Sequence, residues 1–546
     1  MKNIVKIFNN KYQIFLILIL FLAAILRFYQ LGNIPYGTNG DEAGYIYNAF
    51  SIWKTGKDVL GKFLPLSFNA YSSESPVPVY LSAPIVGFFG VSLFTGRALS
   101  ALLGIGSVFL IFLLADLLFE NKRIALFASL LLSISPWALQ VSRGFLIDVN
   151  FALFFLLLGI YIFIKFVSSN KFFWSMIPFS LAFYSFHATK VFILFLIPVL
   201  LYCFRPSFIK RIDKFLVYFM MYLLLFFSFI FVIKYQDVTR QDAVNLFISP
   251  QATIQVNSER QNSLGPKVLR EIFSNKPLYY LSIIRQNFLE AFSPQFLFIK
   301  GDTGVLYFVN NISDRGEFYI LDLPFLLLGI YYLIRQKNKI LSFLIFSLLI
   351  ISVLPSTFTN NISYVDRDIM MLPFMELIIA YGMVLALERI STYKNFLKYS
   401  VLATLCLTYL FLFTGYLYQY YFRWPVYGAE NMASSVRDLT NFISSNKSSK
   451  IYLTKQGYDY LLIYGILRQI NPIIIQRNWS KNPAEIYNLT IFQKCLDNQN
   501  INIYPKLPQK TTYIAPASLC IYNSTPSATI VDRGDPLHVI WNIYTK

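Results

Sequence analysis

SPVPVYLSAPIVGFFGVSLFTG, residues 75–96, is the stretch on which the topology of the chain turns. It is apolar enough to be taken for a membrane span. Pro78, Pro84, Gly87 and Gly90 nevertheless make it a poor long helix, because proline lacks a backbone donor and glycine costs helix stability. Charge parity points the same way. If residues 98–119 span inward, ENKR at 120–123 falls in the cytoplasm, where Lys and Arg are enriched, and residues 124–140 return outward. Counting 77–93 as a span would invert everything downstream, so the stretch reads as an interfacial or re-entrant element of a first external loop.

The composition agrees with that frame. A chain of 546 residues, 56% hydrophobic and 14% charged, with mean hydropathy +0.52, is too apolar for a soluble globule. Several apolar runs reach the roughly 20 residues a helix needs to cross about 30 Å of hydrocarbon, so the spans are expected to be helices. The net charge of +19 does not mark a nucleic-acid binder, because the basic residues recur at the ends of apolar segments and form no single patch. The 38 Tyr and 54 Phe suit lipid-facing and interfacial positions and alone argue for no ligand.

Outward from residues 75–96 the alternation closes. Lys2, Lys6 and Lys11 precede a first span at 13–29, read as an uncleaved helix with its N-terminus inside because no small-residue cleavage site follows at 31–36. Residues 37–96 are then external. Later spans are expected at 151–166, 172–186, 191–204, 215–233, 318–334, 340–354, 369–387 and 399–421. Basic runs at 205–214 and 335–339 lie inside, and a long external loop runs over 234–317. The expected fold is a polytopic α-helical membrane protein with about eleven transmembrane helices, N-terminus in and C-terminus out, and interfacial helices in the first external loop.

Beyond residue 421, short mixed runs such as SKIYLTK (449–455), INPIIIQR (470–477), TTYIAPA (511–517) and ATIVDR (528–533) are bounded by Asn, Pro, Gly and Ser. They read as strands alternating with helices in an extracytoplasmic α/β domain, 422–546, that follows a transmembrane domain, 1–421. Cys495 and Cys520 both lie there; an oxidising compartment allows a disulfide, and two unpaired thiols are the alternative. Cys203 and Cys406 fall in spans and read as packing residues.

Ionisable groups at the outer ends of helices or in outer loops are weighed first for function. GTNGDEAGYIYNAFSIWKTGKD, residues 37–58, places Asp41 and Glu42 after a Gly-rich turn and at the start of an aromatic helix-like run containing Tyr45, where the chain has just left the bilayer. Asp148 stands where SRGFLIDVNFALFF enters an apolar helix, and capping that helix is its plain structural reading. Arg143 also reads as a snorkelling interfacial residue. Glu74, His187, Lys190, Asp366, Arg367 and Asp368 complete the external set.

His187 and His538 are the two histidines, and with no H-x-x-H or H-x-x-x-H spacing a zinc site of the soluble type is not expected. A carboxylate site for a harder divalent ion, drawn from Asp41, Glu74 or Asp148, stays open. No Walker loop, G-x-G-x-x-G fingerprint or G-x-S-x-G elbow occurs in a strand-turn-helix context, so nucleotide-dependent chemistry has no visible handle. Asn311 and Asn361 open Asn-x-Ser triplets, which arise by chance in so Asn-rich a chain, and no glycan is assigned to them.

External carboxylates, basic groups at the membrane surface and aromatic walls suit attack of a hydroxyl on a sugar carried by a lipid phosphate. A carboxylate accepts the acceptor's proton, while Arg or Lys, with or without a metal, stabilises the departing phosphate. Inversion at the sugar carbon needs one base and no covalent enzyme intermediate.

These residues carry a family resemblance. GDEAGYIYNAFSIWKTGKD (40–58), SESPVPVYLSAP (73–84), RALSALLGI (97–105), SRGFLIDVNFALFFLLLGIYIF (142–163) and YSFHATKVFILFLIP (184–198) come in sequence. SPQFLFIKGDTGVLYF (293–308), DLPFLLLGIYYLIR (322–335), YVDRDIMMLPFMELIIAYG (364–382) and YQYYFRWPVY (418–427) follow. In order and spacing the chain resembles the C-type glycosyltransferase superfamily, specifically the bacterial relatives of protein O-mannosyltransferases and of the lipid A aminoarabinose transferase, over most of residues 12–430.

The resemblance implies a polyprenyl-phosphate sugar as donor, a hexosyl or pentosyl group transferred at the external face of the cytoplasmic membrane, and a glycolipid, glycan or protein as acceptor. It matches Asp41 and Asp148 to the acidic residues of the first and second external loops, Lys190 to a basic position suited to a phosphate, and Arg367 to a loop where relatives also carry Arg. Glu42, Tyr45, Glu74, Arg143 and His187 complete the expected substrate-binding set. Where some relatives have a basic residue before the proline of the first-loop element, this chain has Ser75 after Glu74, leaving the phosphate to Lys190, Arg143 or Arg367. Of the adjacent acids, Asp41 is expected to be the base and Glu42 to complement the helix dipole.

Two other readings differ in class. A transporter or lipid flippase would show inverted repeats and ionisable groups near the midplane; no clear repeat is visible and the charges gather at one face. A non-catalytic assembly subunit would use its external tail to bind a partner, and the placement of both aspartates weighs against it.

Overall fold

The proline and glycine pattern of residues 75–96 produces a short helix and a restart. In the computed structural model, which describes residues 11–144, 146–208, 212–233, 246–247, 250–302, 312, 315–360, 364–446, 450–454, 459–496 and 501–546, the first four helices are α1 (Lys11–Phe28), α2 (Gly40–Thr55), α3 (Pro76–Phe89) and α4 (Leu93–Phe119). The 14 residues of α3 rise about 21 Å at 1.5 Å per residue, short of the ~30 Å of hydrocarbon. Pro76 occupies its first turn, where a missing N–H costs nothing, and Pro84 lies inside. Lys2, Lys6, Lys210, Arg211, residues 234–245 of the long loop, Asn311 and Asn361 lie outside the described residues.

Among the described residues six helices are long and apolar enough to cross a membrane: Lys11–Phe28, Leu93–Phe119, Ile147–Phe166, Lys339–Thr357, Ile369–Ile390 and Asn395–Tyr427. A seventh is added if Lys122–Ile134 and Pro136–Ser142, bent by 59°, count as one span. The bend falls where Pro136 interrupts the backbone hydrogen bonding. The segments expected at 172–186, 191–204 and 318–334 are helical but shorter, as Met176–Phe183, His187–Cys203 and Asp322–Arg335. The chain is mostly helical, with the several apolar helices of a membrane protein.

Two compact units account for the chain: Met1–Arg27, Leu102–Ser142 and Asp148–Tyr416 in the first, and Phe28–Ala101, Arg143–Ile147 and Leu417–Lys546 in the second. In the first unit Asp322–Arg335 packs along Leu372–Ile390. Gly329 lies against the carbonyl of Ile378 and Gly382 against that of Phe325, so each glycine admits the other helix's backbone.

The second unit joins residues 28–101 to the C-terminal residues. Its sheet has strands β1 (Lys450–Thr454), β2 (Ala484–Ile486), β3 (Leu489–Phe492), β4 (Thr511–Pro516), β5 (Ala528–Val531) and β6 (Val539–Thr545), in the order β2-β3-β1-β4-β6-β5. β1 pairs parallel with β3 and β4, and the outer pairings are antiparallel. Every residue of β4 is buried, as a central strand requires. INPIIIQR contributes a helix, Pro472–Asn478, started by the Asn471 side chain and by proline in the first turn.

Cys495 and Cys520 form a disulfide, seated on a core of Ile503, Leu507, Tyr513 and Tyr544. On the other side of this unit, α2 rests on the helices that follow β1. Tyr47 Oη donates to the Ile470 carbonyl at 2.9 Å, and Gln476 Nε2 reaches Ser51, Thr55 and the Asp58 carbonyl.

Candidate functional site

The acidic stretch begins a helix for local reasons. Asn39 caps α2 by accepting the Glu42 N–H at 2.8 Å, and Asp41 and Glu42 fill its first turn, where negative charge is favoured. The two glycines of GDEAG serve a neighbour. A β-carbon at Gly40 would meet the Tyr71 ring at 2.5 Å, and one at Gly44 would strike the Glu74 carboxylate, so the loop 68–74 lies directly across the first turn of α2.

Glu74 organises that loop. Its carboxylate accepts the N–H groups of Ala70 (3.0 Å), Tyr71 (2.9 Å) and Ser72 (3.2 Å), while Phe68 and Glu74 exchange backbone hydrogen bonds. Glu74 is 1% exposed. Burial pushes its carboxyl up to about 7, opposed by the three N–H donors and reinforced by the charge of Asp41. The Ser72 hydroxyl donates to Asp41 Oδ1, and Asp41 stays partly exposed. Tyr45, one helical turn further, accepts the Ser75 N–H on its hydroxyl at 3.0 Å and so fixes the start of α3.

Glu42 points the other way, into the protein. Its carboxylate takes Arg97 Nε at 2.6 Å and Nη2 at 3.0 Å, and accepts the Thr38 hydroxyl at 2.7 Å. Arg97 donates further to the carbonyls of Leu31, Pro35 and Gly37, so the pair ties down the turn leading into α2. Arg143 is likewise enclosed. It donates to the carbonyls of Tyr29 and Ile34 and to the Tyr420 hydroxyl, with its guanidinium 4.9 Å from the centre of the Tyr421 ring.

The remaining expected residues belong to the first unit. Asp148 sits in the first turn of Ile147–Phe166, partly exposed, and accepts the Val149 N–H at 2.9 Å. His187 and Lys190 share the first turn of His187–Cys203, with Lys190 Nζ 3.1 Å from His187 Nδ1. Arg367 donates to Thr359 Oγ1 at 2.5 Å and to the Asn360 carbonyl.

The structure therefore brings Asp41, Glu42, Tyr45 and Glu74 together around one helical turn, and His187 with Lys190 around another. Sequence reasoning missed Arg97, an arginine at the head of an apolar helix whose partner stands 55 positions away. It also passed over Asp322 and Glu376, both buried. Asp322 accepts the Tyr409 hydroxyl at 2.6 Å. Among the described residues no three His, Cys, Asp or Glu side chains are grouped so as to hold a metal ion.

The sequence model of the family described as dolichyl-phosphate-mannose-protein mannosyltransferase matches residues 73–234. No curated protein matches the chain. Among solved structures, the chain is similar to the archaeal oligosaccharyltransferase AglB from Archaeoglobus fulgidus in complex with an inhibitory peptide and a dolichol-phosphate. The identity is 13% and the TM-score 0.46, over 93% of this chain and 69% of that one. It is similar to ArnT from Cupriavidus metallidurans bound to undecaprenyl phosphate at 12% identity and TM-score 0.49, over 96% and 97%. It is also similar to the S. cerevisiae protein O-mannosyltransferase Pmt1-Pmt2 complex bound to the sugar donor, at 16% and 0.34, over 42% and 34%. The sequence likeness to the dolichyl-phosphate-mannose-protein mannosyltransferase family is thus confined to residues 73–234.

Proposed function

We propose that the chain is an inverting glycosyltransferase that moves a sugar from a polyprenyl phosphate to an acceptor hydroxyl at the external face of the cytoplasmic membrane. The observation that carries this reading is Asp41, a partly exposed carboxylate in the first turn of α2, held on one oxygen by the Ser72 hydroxyl. Asp41 takes the proton of the acceptor hydroxyl as its oxygen attacks the anomeric carbon; the bond from that carbon to the phosphate oxygen breaks on the opposite face, and its electron pair leaves with the lipid phosphate.

Asp148 supports the site electrostatically, and Lys190 and Arg367 are the cations proposed for the leaving phosphate. Glu42 and Arg143 hold the backbone around the site. The same proposal includes about eleven spans with the N-terminus inside and the C-terminus outside, surface helices in 37–96, a membrane domain 1–421 and an external domain 422–546. The glycolipid, glycan or protein acceptor is selected by the loop 234–317 and by the tail beyond 421.

The test is transfer from a polyprenyl-phosphate sugar in membranes carrying Asp41→Asn at unchanged protein level. Removing a general base costs about 100-fold or more. Near-normal turnover would sink the assignment.

A further inference from the structure

A cavity of about 500 Å³ opens in the second unit where α1 ends and α4 begins. That volume lies within the range of small-ligand sites, roughly 300–1,000 Å³. Its floor is apolar: Phe94 is 47% exposed and Phe28 and Leu467 are half-buried, backed by the buried side chains of Leu31, Val91, Leu93 and Ile466. Its rim is polar and exposed, formed by Gln30, Asn33 and Gln469. Gln30 (φ 53°) and Gln469 (φ 51°) both hold the left-handed backbone that a side chain with a β-carbon disfavours.

Arg437 supplies the charge. It donates to the carbonyls of Tyr36 (2.5 Å) and Gly32 (3.3 Å) and to Asn33 Oδ1 (2.9 Å), all neutral acceptors. The adjacent carboxylate, Asp438, is taken by Arg533 through two 3.0 Å hydrogen bonds. Among the described residues no carboxylate forms an ion pair with Arg437. The cavity thus offers an anion one guanidinium beside an apolar floor. It does so at the ends of two helices apolar enough to be spans, α1 and α4. Phe28 and Phe94 mark that level, with ring centres 6.4 Å apart.

We propose that this cavity binds the head group of an anionic membrane phospholipid, with its phosphate on Arg437 and the first carbons of its tail on Phe28, Phe94 and Leu467. Guanidinium and phosphate match in charge and in hydrogen-bond geometry. The floor has no use for a bare inorganic anion. The site is separate from the transfer reaction and does not depend on it.

The experiment titrates the purified full chain in neutral detergent with dihexanoylphosphatidylglycerol, dihexanoylphosphatidylcholine and inorganic phosphate, reading bound ligand by native mass spectrometry. The glycerol lipid is expected to bind, the zwitterionic lipid about tenfold more weakly, and phosphate alone without measurable occupancy. Arg437→Gln is expected to weaken the glycerol lipid about tenfold or more. Because Arg437 also holds the turn at residues 32–36, Leu467→Trp is the companion variant: it fills the cavity, leaves the hydrogen bonds of Arg437 in place, and is expected to exclude the lipid. Equal binding of phosphate and the glycerol lipid would reassign the site to a free anion. Equal binding of the two lipids, or unchanged binding in both variants, would overturn the proposal.

Discussion

Glu42 Oε1 and Arg97 Nε meet at 2.6 Å with neither side chain exposed. The pair is also fully hydrogen-bonded, which is the condition under which two buried charges are tolerated. Removing one partner leaves the other uncompensated in the interior, at a cost of about 3–5 kcal/mol. Glu42→Gln and Arg97→Met are therefore each expected to lower the unfolding temperature of the purified chain by several degrees. The double replacement Glu42→Leu with Arg97→Met is expected to recover part of the loss. Single variants that melt with the parent chain would show the pair to be dispensable.

Ser72 is expected to matter through Asp41. Its hydroxyl donates to Asp41 Oδ1, and a hydrogen bond to a charged group contributes about 1.5–3 kcal/mol. Ser72→Ala should lower kcat for sugar transfer about tenfold and leave the donor KM within about twofold. A change confined to KM would place Ser72 in donor binding.

Glu74 makes the stability of the second unit depend on pH. Its carboxyl is raised from 4.5 to about 7 in the folded chain by burial, so folding favours the protonated form. The stability that this shift contributes is fully present below about pH 4.5 and is lost as pH rises through 7, by at most roughly 3 kcal/mol. Glu74→Gln removes the titration. The difference in unfolding temperature between parent and variant is thus expected to change between pH 5 and pH 8 in the direction that disfavours the parent at pH 8. A constant difference across that window contradicts the assignment.

The disulfide closes a loop of 25 residues, and in the chain-entropy account a loop of that size contributes about 3–4 kcal/mol. Replacing Cys495 and Cys520 by Ser together, or adding reductant, is expected to lower the unfolding temperature of the full chain and to speed proteolysis within residues 422–546. Identical protease maps with and without reductant would argue against it.

Much of the architecture was legible because it is written in local patterns. The prolines and glycines of 75–96 predict an interrupted element, and α3 is a helix of 14 residues ended at Gly90. TTYIAPA and ATIVDR became β4 and β5. INPIIIQR shows where a short apolar run is ambiguous: Asn and Pro ahead of it are helix-start signals that outweigh its β-branched content.

At the candidate site, Asp41 and Glu42 were visible as a pair, yet their opposite fates depend on Ser72 and Arg97, residues 31 and 55 positions away. No periodicity encodes such partners. Gly40 ends the Gly-rich turn read ahead of the acids, and together with Gly44 it also makes room for Tyr71 and Glu74.

The second unit is built from three pieces of chain, 28–101, 143–147 and 417–546. Tyr36 hydrogen-bonds to Asp438 and Tyr47 to Ile470, at separations of 402 and 423 residues. A ribosome adding about 5–20 residues per second needs tens of seconds to travel from one end of those contacts to the other. The helix that holds Asp41 therefore waits for its support until residues 438–470 have been made. Newly inserted chains that stop before residue 417 would carry the acidic turn without its foundation.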